Sequence, residues 1–376
     1  MVIAVNFQLL AHEVLNNNVN FTLECFSRLA NQYPQHQFIY IVDKSFDKKI
    51  ITSKNVIPVI AVIESKSPLR FKYWINYKLP SILKKHKADV FISGGGYCSL
   101  RTAIPQCAIV NDLSFLPHPE FFTRNWLGFY KRNTAKFVAK ATTIIATSQF
   151  LKQQLIDQYK VDDTKIEVAY YGISPNFKPA HWQIKDGIKE TYADGVEYFL
   201  YSGPIESQKN LTLLLKAFSF FKKRQKSNMK LVIASKNVAT DKAMIKSLDS
   251  FKFRQDVKIY EKVSAEILAQ ITTAAYALVY PTLYEGFALT LTEAMQADVP
   301  VITANNTAIP EICGDAALYM DPADFNDIAD KMMLVFKDED KRNVQIIKGR
   351  QQAALYNWQS TTALVWKAVL KCANSL

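Results

Sequence analysis

A chain of 376 residues, 49% of them hydrophobic and evenly spread, is globular and long enough for two domains, each with its own core. No apolar run reaches the length needed to span a bilayer, and the opening MVIAVNFQLL lacks the basic flank and cleavage site of a secretory leader, so a cytoplasmic protein is expected. The formal net charge of +12 is uneven: residues 1–176 hold 21 Lys+Arg against 12 Asp+Glu (+9), the rest 25 against 22 (+3), which predicts an acidic partner for the first half and, with no recognised motif, disfavours nucleic acid.

In chain order, VIAVNF, QFIYIVD, VIPVIAVI, ADVFISG, QCAIVND, ATTIIATS and KIEVAYYG read as strands, with helical stretches such as Phe21–Gln32 and Trp74–Lys85 between them. After the Pro- and Gly-containing YGISPNFKPAHWQIKDG, a second series runs EYFLYSG, KLVIAS, VKIYEKV, YALVYPT and VPVITAN, again alternating with helices. Near-continuous apolar strands separated by helices predict parallel sheets covered on both faces. The expected fold class is α/β: two Rossmann-like, doubly wound domains facing a central cleft, residues 1–176 and 177–357. Ligands of such sheets bind beyond the carboxyl ends of the strands. The five cysteines are odd in number and lack metal-ligand spacing, so buried free thiols are expected and no metal site is assigned.

The stretch YEGFALTLTEAM, Tyr284 to Met295, follows one such strand end. Pro281 ends the strand, Gly286 supplies a turn, and a helix is expected to begin near Ala288. The amides of Phe287, Ala288 and Leu289 then form an electropositive mouth suited to a phosphate. Glu293, one turn in, leans back toward that mouth. Carboxylates repel phosphate but accept hydrogen bonds from vicinal hydroxyls, so Glu285 and Glu293 together suit a ligand with hydroxyls on either side of a phosphate group. A nucleotide sugar has that form. The diphosphate calls for a cation, and YSGPIESQKNLTLLLKAF offers Lys209, in a loop between a strand ending at Gly203 and a helix. The plain alternatives are a solvated loop lysine for Lys209, a helix-start carboxylate for Glu293 and a turn residue for Glu285.

The run YPTLYEGFALTLTEAMQADVPVITANNTAIPEICGDAALYMDP resembles the donor-binding region of glycosyltransferase family four, retaining enzymes of the GT-B fold. GPIESQKN, IVNDLSFLPHPEFF and ATTIIATSQFLKQQLIDQYKVDDTKIEVAYYGISPNF are similar to further family segments, so the resemblance spans nearly the whole chain. It implies that Glu285 binds hydroxyls of the transferred sugar, Glu293 the ribose, and Lys209 the diphosphate, with amides around Phe287–Thr290 (Leu289 and Thr290 among them) completing the cradle. Val263 matches the backbone position that meets the base, and Asn111 that of a histidine contacting the donor sugar. The resemblance further implies no metal or other cofactor, a final helix (about 358–376) returning to the first domain, and a glycan or lipid-linked acceptor in surface-polysaccharide synthesis. The KN loop variant and GDAALYMDP are similar to mannosyltransferase-like members, which favours GDP-mannose over a UDP-sugar.

Four features depart from the family pattern: Asn111, Asn17 and Val19 in NNNVNFTLE where glycines are usual, Gln208 in place of arginine, and Ala288 in place of glycine. They keep open a non-catalytic GT-B protein that binds a sugar nucleotide or a partner enzyme. A carbohydrate hydrolase using Glu285 and Glu293 as its acid/base pair is the third reading. Outside these motifs, ISGGGYCSL (Ile92–Leu100) is a tight turn or an approach to ligand. FFTRNWLGFYKRNTAKFVAKA (Phe121–Ala141) is either a basic amphipathic helix suited to an anionic membrane surface or a core helix with a solvated basic face. His118, between two prolines, reads as a loop residue.

Overall fold

The computed structural model describes residues 1–7, 16–43, 48–61 and 67–374. In it the short apolar runs become strands that are almost all buried along their length. β1 (Val2–Asn6), β2 (Gln37–Val42), β3 (Val56–Ile60), β4 (Val90–Ser93), β5 (Gln106–Val110), β6 (Thr143–Ala146) and β7 (Ile166–Val168) form a parallel sheet in the order β3-β2-β1-β4-β5-β6-β7. Pro58 sits in β3, the edge strand, where its missing N–H costs no ladder bond on the open side. β8 (Tyr198–Ser202), β9 (Lys230–Ala234), β10 (Val257–Tyr260), β11 (Ala277–Tyr280), β12 (Val301–Ala304) and β13 (Ala317–Met320) form the second, in the order β10-β9-β8-β11-β12-β13. β13 is absent from the strands read in the sequence. Its four residues follow directly on the short helical turn Gly314–Ala316 and carry no flanking signal of their own.

Both sheets reverse direction of winding at one place, between β1 and β4 in the first and between β8 and β11 in the second. At such a point neighbouring strands send their following loops to opposite faces, which opens a crevice beyond their carboxyl ends.

The chain divides into two units, residues 1–172 with 357–376, and residues 173–356. The last helix, Trp358–Ala373, is N-capped by Asn357, whose side chain accepts from Ser360 N at 2.9 Å, and it packs on the helix Asn16–Gln32 and on β6. Trp366 stacks on Tyr33 with centroids 4.0 Å apart, and Thr361 Oγ1 donates to Tyr170 O at 2.7 Å. Gly172 lies so close that a Cβ there would stand 2.4 Å from the Trp358 backbone nitrogen, an approach only glycine permits.

The helix Arg124–Lys140 turns Trp126, Phe129, Tyr130 and Phe137 into the core of the first unit and leaves Lys131, Arg132, Lys136 and Lys140 exposed. It is a core helix with a solvated basic face; its aromatics are not available to a membrane. The segment NNNVNFTLE forms the opening turns of the helix Asn16–Gln32 rather than a loop. All five cysteines are buried and none is in a disulfide. Among the described residues no helix is long and apolar enough to cross a membrane.

Candidate active site

The loops that follow β8 and β11 carry the charged groups. After β8 the chain turns at Gly203 (φ +152°), whose amide donates to Ala234 O at 3.0 Å, and runs into a short 3-10 turn, Ser207–Lys209. Asn210 then adopts left-handed backbone (φ +58°) and starts the helix Leu211–Gln225. This turn aims Lys209 inward. After β11, Pro281 to Glu285 form a loop tied to the first by Leu283 N donating to Gln208 O at 3.1 Å. The loop after β12 supports it from the other side: Asn306 Nδ2 donates to Leu283 O at 3.1 Å, and Glu285 N donates to Thr307 Oγ1 at 3.2 Å.

Lys209 Nζ lies 2.5 Å from Glu285 Oε1, and both residues are more than nine-tenths out of solvent. The same oxygen accepts from the Tyr280 hydroxyl at 2.9 Å and from Thr282 Oγ1 at 3.2 Å. Tyr280 stacks on Tyr201 with centroids 5.5 Å apart, and the Lys209 ammonium stands 5.8 Å from the Tyr280 ring. Burial, the largest single influence, would lower the Lys209 pKa, but the adjacent Glu285 carboxylate, Tyr201 and Glu206 together outweigh it and hold the ammonium above the usual lysine range. Burial, reinforced by Glu285, pushes the Tyr280 phenol well up, so it remains a hydrogen-bond donor at any physiological pH. The result is a dry, charged pair with three donors converging on one carboxylate oxygen.

Glu293 lies in the helix Leu289–Gln296, whose start carries no side-chain cap. Its carboxyl is buried and accepts no hydrogen bond among the described residues; burial raises its pKa to about 7, against a smaller opposing effect of Lys236. An acid that titrates at neutrality beside an uncapped helix start can accept from a hydroxyl when ionised and donate when protonated. Leu289 N donates to Phe287 O at 3.0 Å, so the Leu289 amide expected at the mouth is taken, and Phe287 packs edge-on against Tyr356. Val263 follows β10, its amide donating to Ser235 O at 3.1 Å.

Lys209, Glu285, Gly203, Val263 and the Phe287–Glu293 segment all belong to the second unit, beyond the carboxyl ends of its strands. Asn111 belongs to the first unit. There it follows β5 and lines a cavity of about 40 Å³ with Gly95, Gly96, Tyr97, Asp112 and Tyr130, walled by phenylalanines. Both polar atoms of the Asn111 side chain are buried without a partner, as is the Tyr130 hydroxyl. Buried amides are nearly always paired, so this cavity is chemically unfinished. The glycine run is thus both a turn, with Gly96 at φ +72°, and a wall of that cavity. His118 pairs with Glu120 and stacks on Phe121, in keeping with a loop residue. Tyr280 and Thr282 went unread in the sequence, although two polar side chains at the end of an apolar strand were a signal. Among the described residues no cluster of three His, Cys, Asp or Glu could hold a metal.

Residues 185–352 match the family model for glycosyl transferases group 1, and residues 25–177 that for Glycosyltransferase Family 4. The chain belongs to glycosyltransferase family four. It is 25% identical over 253 residues to O-antigen chain mannosyltransferase B of Escherichia coli, covering 67% of this chain and 66% of that one. It spans no more than 66% of the length of the first curated relatives it matches. Sucrose-phosphate synthase from Thermosynechococcus elongatus superposes with a TM-score of 0.78 at 14% identity, over 98% of both chains. Anabaena HepE, solved with UDP and glucose, gives 0.74 at 14% identity, over 100% of this chain and 99% of that one. These likenesses establish the GT-B fold.

Against the family-four pattern, two departures have a structural account. Gln208 turns its amide onto Glu206 at 2.7 Å, so Lys209 has no cationic neighbour from that position. Ala288 has ordinary negative φ (−86°), so its backbone does not require glycine there.

Proposed function

We propose that this chain is a retaining glycosyltransferase. It moves a sugar from a nucleoside-diphosphate sugar, GDP-mannose or a UDP-sugar, to a glycan or lipid-linked acceptor in surface-polysaccharide assembly. The observation that carries the reading is the buried Lys209–Glu285 pair beside the uncapped start of the helix Leu289–Gln296. A buried ion pair is a poor stabiliser in its own right, because each ion loses its hydration, so its retention points to a ligand that uses both charges. The names of the relatives, an O-antigen mannosyltransferase among them, support the substrate class.

In this reading the diphosphate takes the Lys209 ammonium while hydroxyls of the transferred sugar take Glu285. Glu293 accepts from the ribose, and amides within Phe287–Thr290 other than that of Leu289 face the phosphates, past the turn at Gly203. The Val263 carbonyl meets the base, and Asn111 donates to the sugar. The bond from anomeric carbon to phosphate oxygen breaks, and the diphosphate leaves with the electron pair. The acceptor hydroxyl oxygen bonds the same face of that carbon, and its proton passes to the departing phosphate oxygen. Lys209 and the helix start supply the positive charge this departure needs, so the proposal places no metal in the reaction. A hydrolase would have no use for Lys209 at that position. The test is a panel of nucleotide sugars with lipid-linked and soluble glycan acceptors, reading nucleoside diphosphate release. Binding without release, in the native chain and in an Asn111→His, Ala288→Gly variant, would replace the enzyme with a non-catalytic binding protein.

A further inference from the structure

The cavity beside Asn111 lies wholly within the first unit, and its lining is of two kinds. Phe71, from the helix Pro68–Tyr73, joins Phe129 and Phe137, from the helix Arg124–Lys140, in an apolar part that is almost fully out of solvent. Gly95, Gly96 and Asp112 are the lining residues that keep partial exposure. The opening is therefore at them, beyond the carboxyl ends of β4 and β5. The two glycines put no side chain across it.

The polar groups of the cavity are few and unpaired. Asn111 is 7% and Tyr130 9% exposed, and Asn111 Nδ2, Asn111 Oδ1 and the Tyr130 hydroxyl all lack a partner. They are held in place nonetheless. The Tyr130 ring stacks on Phe115 with centroids 5.4 Å apart and meets Phe122 edge-on at 5.8 Å, which confines its hydroxyl to one position. Burial, reinforced by Asp112 and Tyr97, holds that phenol well above the usual tyrosine range and keeps it a donor. Asp112 Oδ1 accepts from Ser114 N at 2.6 Å, which fixes the turn beside Asn111. A site built in advance for a ligand has this form.

The lining narrows what fits. One water needs roughly 10–15 Å³ of such space, so about 40 Å³ holds a group of about three non-hydrogen atoms. Water itself is a poor occupant, because each molecule needs two to four polar partners and the phenylalanines offer none. An anion would meet Asp112 with no Lys, Arg or His among the lining residues. A purely apolar group would leave the Asn111 amide and the Tyr130 hydroxyl orphaned, and a hydroxyl would leave the aromatic part empty. What fits has an N–H, a carbonyl and a methyl. We propose that the cavity holds the acetamido group of an N-acetylated sugar, a proposal that rests on the reading above in which a sugar reaches Asn111. The N–H and C=O of a planar trans amide point opposite ways, so two separate partners are needed. The carbonyl accepts from the Tyr130 hydroxyl, the N–H donates to Asn111 Oδ1, and the methyl lies on the phenylalanines. Asn111 Nδ2 stays available to the transferred sugar. The acetamido group belongs either to that sugar or to the acceptor.

The test compares two pairs of probes on the full chain by calorimetry and by saturation-transfer NMR. UDP-N-acetylglucosamine against UDP-glucose reads an acetamido group on the transferred sugar. Octyl N-acetylglucosaminide against octyl glucoside, without nucleotide, reads one on the acceptor. In one pair the acetamido member should bind about tenfold more tightly, and its acetyl methyl should take the strongest saturation. Tyr130→Phe should cost that member about tenfold and leave its hydroxyl counterpart unchanged. The variant deletes a hydroxyl that has no partner in the free chain, so its melting temperature should equal or exceed the native one. A purely structural role for Tyr130 would lower it. Leu113→Phe, which fills the cavity, should abolish the preference while UDP and GDP affinities stay native. No preference in either pair, or a preference that survives Tyr130→Phe, would overturn the proposal, and the proposed function would stand as long as UDP or GDP binds. A chain that binds neither nucleotide yet prefers the octyl acetamido sugar would keep the cavity's assignment and overturn the function.

Discussion

Lys209 Nζ and Glu285 Oε1 stand 2.5 Å apart with both side chains almost fully buried, although 76 residues separate them. Each neutralises the other in a place where neither is stable alone. Removing one partner should therefore expose two separate effects. Lys209→Ala leaves a buried carboxylate without its cation and should cost roughly 3–5 kcal/mol of stability. It should also abolish most nucleoside diphosphate affinity. Lys209→Met, Glu285→Gln should recover most of the stability and none of the affinity. Melting curves and calorimetry with UDP and GDP read the two effects separately. Full affinity in Lys209→Ala would remove the lysine from the ligand site.

The two glutamates should fail differently. Glu293→Gln should weaken nucleoside diphosphate binding about tenfold, because a ribose hydroxyl loses a charged acceptor. Glu285→Gln should spare that affinity and lower the rate of transfer, its partner being the sugar. Binding isotherms and turnover of the two variants, measured side by side, decide this; matching losses of affinity would dissolve the division.

Glu293 also predicts a pH dependence whose sign follows from its direction of shift. Its folded pKa of about 7 lies above the unfolded carboxyl value, so the folded chain holds a proton that the unfolded chain has released. For this group stability is highest below about pH 4.5, falls as pH rises to about 7, and is flat above, a loss of about 3 kcal/mol in all. Glu293→Gln should remove that slope, gaining more in melting temperature at pH 8 than at pH 5. Ligand binding should run the other way, tightening as pH rises through 7 because the ionised form is the better acceptor. Parallel melting curves for native and variant chains across that window would contradict both statements.

Transfer should persist in EDTA, and Asn111→His should be neutral or improve it. Asparagine already donates and accepts hydrogen bonds, and same-face transfer sends the acceptor's proton to the departing phosphate, not to a side-chain base. A chelator that stops release of nucleoside diphosphate, restored by a divalent cation, would show that a metal takes part.

Gly172→Ala should destabilise the chain by several kcal/mol, on the order of a severe overpacking change. The new methyl would meet the Trp358 backbone at 2.4 Å. A melting temperature within a degree or two of native would mean that the last helix shifts without cost.

The sheets were legible because central parallel strands are apolar along their whole length, a pattern that survives without knowledge of their neighbours. KLVIA and ALVY need no context to be read. The Lys209–Glu285 contact was not legible as a contact. Spacing assigned the lysine to a phosphate and the glutamate to a sugar, and only the fold shows that they meet. Which of two readings holds for Phe121–Ala141, a helix whose aromatics face outward or a core helix with a solvated basic face, was not legible for a related reason. Phe121–Ala141 and Pro68–Lys85 are both basic and aromatic, and composition cannot say which aromatics the core will claim. In the first helix it claims all the large ones; in the second, Phe71, Trp74 and Leu79 fill it and the tyrosines are left over.

The chain leaves its first unit at Gly172 and returns only at Asn357. On the ribosome, the seven-stranded sheet is therefore complete in its strands long before the helix that closes over β6 has been made. The whole second unit is synthesised in the interval. Until then, one side of that sheet is open to whatever apolar surface it meets, so the nascent protein is most exposed to aggregation in the middle of its own translation. A chain cut short after Tyr356 would carry that exposure permanently.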